Sequence, residues 1–290
     1  MTETSKGLLI TTLGVLLVVP DSLFVRLIDA SGMTIAFWRL FLSGGFLALG
    51  ILILKGKEPF QAVFSTGRYG VIFMLGVGGS GVLFTLAVTL TSVANVVFII
   101  ASLPVFAAIY SRIFLAEPIS SRMLLTMAVV MVGLAVIAYG SGETENASLA
   151  GDALALSVSA LFAAALTAAR RVKHVSMVPG AALGYVICAM LILPVAEPFS
   201  VPAHQVPLVG AHAAFILGSS VLLAIGPRYI TSAEVGLLVL LESALAPLLV
   251  WAVISENPGA YALLGGSVVI GALFVSNLVA LRRARLRNQR

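Results

Sequence analysis

Residues 240–256 read LLESALAPLLVWAVISE. The stretch is apolar enough to cross a membrane, yet it carries Glu242 near its centre and Pro247 five residues on. A helix from about Thr231 to Ile254 leaves roughly 11 residues on either side of Glu242. At 1.5 Å per residue that is about 17 Å, which puts the carboxyl near the midplane of a hydrocarbon core about 30 Å thick. A carboxylate at that depth is costly unless it faces a cavity or a partner, so it marks a functional position by default. Pro247 removes a helix donor and frees the carbonyl of Ser243. Freed backbone is tolerated at membrane depth only where protein or a water-filled cavity satisfies it. One helix therefore holds a charge and a break at the same depth.

The composition around this helix agrees. Hydrophobic residues make up 60% of the chain and charged residues 10%, with a mean hydropathy of +1.11. Soluble proteins carry about a quarter charged residues. The deficit identifies an all-α polytopic membrane protein with almost no soluble domain. Cys188, the single cysteine, lies in an apolar segment, which excludes a disulfide framework and a cysteine-based metal site. The pI near 9.7 does not imply nucleic acid. Five arginines (282, 283, 285, 287 and 290) directly follow an apolar span, as in a cytoplasmic anchor against anionic headgroups. Lys6 and the apolar run after it resemble a signal peptide, but no small-x-small cleavage site follows, so the run reads as a retained first helix. Asn146-Ala147-Ser148 fits a glycosylation sequon and reads as an ordinary polar loop.

Ten apolar segments follow one another: about 7–27, 33–54, 68–90, 93–115, 120–140, 149–170, 177–195, 206–228, 231–254 and 258–281. Most approach the roughly 20 residues that a spanning helix needs. The connections are short and rich in polar residues, Pro and Gly. With the N-terminus inside, fifteen of seventeen Lys and Arg residues fall on the inner side and only Arg26 on the outer, with Arg39 left within the second segment. That asymmetry places both termini in the cytoplasm, and the multi-pass protein in the cytoplasmic (bacterial inner) membrane.

The chain also repeats. Shifted by 139 residues, 79–136 aligns without gaps on 218–275, with fourteen identities in 58 positions. Gly79-Ser80 falls on Gly218-Ser219, Ala107 on Ala246 and Glu117 on Glu256. Two halves of five helices, 7–140 and 149–281, followed by a basic tail at 282–290, are expected. An odd number of crossings per half inverts the second relative to the first. Inverted repeats are the architecture of secondary transporters, with the substrate near the midplane between them.

At these residues the sequence resembles the drug/metabolite transporter superfamily in its ten-helix form with two EamA-type repeats. The resemblance is carried by Ala94 to Glu117 with AlaSerLeuPro at 101–104, by LeuGluSerAlaLeuAlaPro at 241–247 with Trp251, Glu256 and LeuGlyGly at 264–266, and by TrpArg at 38–39. It covers nearly the whole chain and is specific for the superfamily, not for substrate. It implies alternating access around a central cavity walled by the third, fourth, eighth and ninth helices. Relatives of this kind export amino acids, other metabolites or drugs.

Each candidate residue has a functional and a structural reading. Glu242 can hold a substrate ammonium or exchange a proton, or it can simply bond to a neighbouring helix. Arg39 can attract a substrate carboxylate, or it can snorkel or pair with an acidic residue such as Asp21. Asn95, Ser80, Ser102 and Ser243 can donate hydrogen bonds in a cavity or across helices. Trp38 and Trp251 can stack on a substrate or face lipid. Pro104, which frees the carbonyl of Ile100, and Pro247 are expected helix breaks. Gly79 and Gly218 are expected at gating or packing positions. GlyGlySerGly at 78–81 with His212 resembles an intramembrane serine protease site. The recurrence of Gly-Ser in the repeat and the position of His212 near a helix start argue against it. No phosphate loop and no metal-ligand spacing appear, so neither cofactor nor metal is expected and ATP is not the direct energy source.

The expectation is thus a secondary carrier, not an enzyme, that exports small metabolites, amino acids first. A drug or quaternary-cation efflux carrier is the alternative. Its partners are the lipid bilayer and a small-molecule substrate, with no nucleic acid. The oligomeric state stays open, a monomer among the readings.

Overall fold

A computed structural model describes residues 3–140, 147–225, 229–230 and 232–288. The loop at 141–146, the sequon's Asn146, Arg228, Thr231 and the terminal Arg290 lie outside the described residues. Thirteen α-helices and two 3-10 turns, and no strand, occur among the described residues. In chain order the helices are α1 (Glu3–Val18), α2 (Asp21–Leu27), α3 (Gly32–Lys55), α4 (Glu58–Ser65), α5 (Arg68–Leu90), α6 (Val93–Ile100), α7 (Leu103–Phe114), α8 (Ser121–Gly140), α9 (Leu149–Arg171), α10 (Val178–Ile192), α11 (Val206–Ile225), α12 (Ser232–Ile254) and α13 (Ala260–Asn288).

Among the described residues, eight helical segments are long and apolar enough to span a membrane, counting α1 with α2 and α6 with α7 as single paths. Val178–Ile192 and Leu238–Ile254 are apolar but shorter. Two differences from the sequence reading have plain causes. The connection after α3 holds the short α4, whose second position is Pro59, a residue suited to a helix start because its missing N–H would have no partner there. The basic tail is not a separate element: α13 runs through it to Asn288.

Helices of the first half pack chiefly on helices of the second. α5 lies along α9, α8 along α13, α3 along α10 and α1 along α11. Small residues let these pairs approach, as expected where lipid gives no hydrophobic drive between helices. A Cβ on Gly184 would stand 2.3 Å from the Met74 carbonyl oxygen, so α10 meets α5 backbone to backbone. Gly133 and Gly265 do the same for α8 and α13: a Cβ on Gly265 would stand 2.5 Å from the Gly133 carbonyl oxygen. Outward-facing side chains such as Phe46, Ile53, Leu54, Leu125 and Leu264 are exposed and apolar, which suits a lipid surface. At the centre stands α6, whose residues from Val93 to Ile99 are all buried.

The two proline-bearing paths behave differently. The fourth segment divides at Ala101–Ser102 into α6 and α7, with Pro104 in the first turn of α7. The ninth stays one helix, with Pro247 inside α12 and buried. The expected break at Pro247 is therefore absent. A single proline in a membrane helix is accommodated by neighbouring helices and local adjustment.

Candidate functional site

Pro20 has no N–H to donate, so α1 ends at Val18 and the chain restarts as α2, with the Pro20 carbonyl accepting from Phe24 N at 2.9 Å. The restart carries Asp21 into the protein, where it is 3% exposed. Asp21 takes a two-pronged grip from Arg39 of α3: Nε donates to Oδ1 at 2.9 Å and Nη2 to Oδ2 at 2.5 Å. His212 of α11, 1% exposed, brings Nε2 to 2.6 Å from Oδ1. Its ring stacks on Phe24 with centroids 5.2 Å apart. Glu242 of α12, partly buried, interacts electrostatically with both Asp21 and Arg39. Four ionisable side chains from α2, α3, α11 and α12 thus form one cluster inside an apolar bundle.

Taking charges out of water is expensive, and a paired geometry recovers only part of that cost. The bidentate Asp21–Arg39 fork is the strong form of such a pair. It leaves one donor over: Arg39 Nη1 is buried and has no hydrogen-bond partner. The guanidinium lies 5.3 Å from the centroid of the Phe84 ring, and a Cβ on Gly81 would stand 3.1 Å from Nη1 and crowd it. Thr11 Oγ1 on α1 and Ser22 Oγ on α2 are likewise buried without partners. Buried polar atoms are almost always satisfied, and each exception calls for a physical reason.

The other sequence candidates separate by their partners. Trp38 Nε1 donates to the Pro198 carbonyl at 2.9 Å, in the connection between α10 and α11. Asn95 Nδ2 donates to Asp152 Oδ1 at 3.1 Å, and Thr91 Oγ1 donates to the same oxygen at 2.8 Å, tying the start of α6 to the start of α9. The Ile100 carbonyl freed by Pro104 does not await a ligand, because Ser159 Oγ of α9 lies 3.4 Å from it and 3.3 Å from the Ile99 carbonyl. Ser102 Oγ faces the same Ser159 hydroxyl at 3.5 Å. Ser243 is buried one residue from Glu242, whereas Trp251 is 48% exposed and is not brought into the cluster. Gly79 and Gly218 make equivalent close approaches: a Cβ on the first would stand 2.9 Å from a Leu161 methyl of α9, and on the second 3.0 Å from a Leu17 methyl of α1.

Ser80 and His212 do not form a nucleophile and base. Ser80 Oγ donates to the Val77 carbonyl of its own helix at 2.9 Å, and His212 Nε2 is engaged with Asp21. His212 is the residue the sequence reading undervalued. Its nearness to a helix start suggested a shallow position, yet it is among the most buried side chains in the protein. The usable signal was an ionisable residue within an apolar span, the same signal that singled out Glu242.

Comparison with known proteins agrees with this architecture. Residues 5–139 match the model of the EamA-like transporter family. A crystal structure of another protein superimposes with a TM-score of 0.65 at 18% sequence identity, covering 96% of this chain and 98% of its own. At that identity the likeness concerns the fold alone. No curated protein matches the chain.

Proposed function

We propose, for a chain whose residues 5–139 belong to the EamA-like transporter family, a secondary carrier that exports amino acids across the cytoplasmic membrane. That match supports a multi-pass membrane transporter of small molecules; the substrate, direction and mechanism are our reading. Ten spans form two inverted halves of five, at 7–140 and 149–281, with both termini in the cytoplasm. The halves rock around the Asp21–Arg39–His212–Glu242 cluster in alternating access. One observation carries this reading. Ionisable side chains from α2 and α3 of the first half and α11 and α12 of the second meet at depth in an apolar bundle, and Arg39 Nη1 remains unpaired there. Intramembrane ionisable residues mark substrate or proton pathways, and carriers of this architecture bind at the interface between halves. Arg39 takes the substrate carboxylate and Glu242 the ammonium.

The test is uptake of a labelled amino-acid panel into proteoliposomes, with and without a pH gradient. Saturable flux above empty liposomes is expected, and Glu242→Gln should reduce it without abolishing it. Flux of a quaternary cation that Glu242→Gln abolishes, with no amino-acid flux, would replace this reading by cation efflux. Wild-type flux after Glu242→Gln would remove that residue from the site.

A further inference from the structure

Two ion pairs at opposite ends of the bundle share one construction. Glu117 follows α7, and Glu256 follows α12 139 residues later. Each glutamate is preceded by a non-glycine residue in the left-handed region, Ala116 at φ 56° and Ser255 at φ 58°. Such backbone is unfavourable for an L-residue and persists only where its surroundings impose it. Each glutamate then meets an arginine in the last turn of a helix from the other half. Glu256 Oε2 lies 2.9 Å from Arg26 Nε of α2, and Glu117 Oε1 accepts from Arg170 Nη2 of α9 at 2.8 Å. The helix α9 measures the distance between the pairs. Its start is tied to Thr91, through Ser148 N donating to Thr91 Oγ1 at 3.1 Å, and Thr91 O accepts from Arg26 Nη2 at 2.9 Å. Its end carries Arg170, 21 residues from Leu149, or about 32 Å along the helix.

The two ends are not in the same state. At the first, the Arg26 and Glu256 side chains are 22% and 10% exposed, and Glu256 Oε1 also accepts from Val93 N at the start of α6 at 2.8 Å. At the second, the Arg170 and Glu117 side chains are 59% and 44% exposed. Arg170 Nη1 reaches Ser111 Oγ of α7 at 3.3 Å, and the pair borders a cavity of about 320 Å³ with Leu115, Arg171 and Lys173. The central path formed by α6 and α7 is thus fastened at its beginning by one pair and at its end by the other.

We infer that Arg26–Glu256 and Arg170–Glu117 are the two latches of the transport cycle, both made in the state described, the first buried and the second open to solvent. This assignment rests on the carrier reading above. A latch biases a two-state equilibrium by stabilising one state more than the other, so loosening one end must tighten the opposite end. A local strut would change only its own end.

Spin labels at exposed positions outside both pairs read this directly. In a Cys188→Ala background, Leu27→Cys with Ala260→Cys reports the first end, and Phe114→Cys with His174→Cys the second. Pulsed dipolar distances are measured on the full chain in liposomes. Glu256→Gln should lengthen the first distance by several ångströms and raise the population of the short second distance at least about fivefold. Glu117→Gln should do the reverse. The charge swap Arg170→Glu with Glu117→Arg, at an exposed pair where folding is not at stake, should return the wild-type populations. Changes confined to the substituted end, or no change at either end, in a protein that transports in the proteoliposome assay would overturn the latches and leave the carrier. Absence of transport by the wild type in that assay would instead strike at the carrier reading.

Discussion

Two junctions, each formed by a helix of one half wedged among helices of the other, solve the same packing problem with opposite chemistry. At one, Asp21 of α2, Arg39 of α3 and His212 of α11 form a buried charged cluster. At the other, Ala165 of α9, Phe73 and Val77 of α5, and the partly buried Phe162 and Tyr185 form an apolar cluster. Shifted by 139 residues, His212 falls on Phe73. The apolar junction shows that the fold can be assembled without charge at such a crossing. Buried ion pairs are seldom a source of stability relative to well-packed apolar residues. Charge at only one of these two crossings is therefore not a requirement of packing.

The largest effect should come from breaking the charged junction halfway. Arg39→Ala leaves the Asp21 carboxylate buried with only His212 as its partner, which should cost about 3–5 kcal/mol and appear as a much lower unfolding temperature in detergent. Converting the junction wholly to its apolar counterpart, with Asp21→Leu, Arg39→Met and His212→Phe together, should restore or exceed wild-type stability and abolish transport. A triple variant that still transports would remove the functional meaning of the contrast. The reverse graft sharpens the comparison: Phe73→His places an ionisable ring, with no carboxylate partner, in a site now 7% exposed. It should cost about 2–4 kcal/mol in the same melt. Gly184→Ala probes the seam behind the apolar junction, where the added methyl meets the Met74 backbone; about 1–3 kcal/mol is expected from overpacking. Smallest of all, Arg170→Gln removes a largely exposed pair and should change stability by under about 1 kcal/mol.

Much of this was readable in the chain. The apolar segments, the deep Glu242 and the helix-ending glutamates of the two halves are one-dimensional patterns, and local sequence suffices to find them. The partnerships are not one-dimensional. Asn95 looked like a cavity donor because nothing in the sequence says that Asp152, the first acidic residue of α9, folds back against it. Pro104 and Pro247 look alike in sequence, yet only the first coincides with a helix start, where the Ser159 hydroxyl of a different helix lies within reach of the Ile99 and Ile100 carbonyls and can donate to one of them. His212 was discounted on its position along one helix, whereas its depth is set by α2 and α3 around it.

The 191-residue separation between Asp21 and His212 also has a consequence for biogenesis. Asp21 and Arg39 are 18 residues apart and leave the ribosome almost together, so their ion pair can enter the membrane as a preformed unit. The histidine follows only after most of the protein has been made. At about 5–20 residues per second, the half-finished cluster waits roughly 10–40 seconds for its third member. The face of α1 that receives α11 lies against lipid or the insertion machinery throughout that interval, and those of α5 and α3 do so until α9 and α10 are made. The nascent first half is therefore a client of whatever shields it, and the mature bundle closes only when the second half arrives.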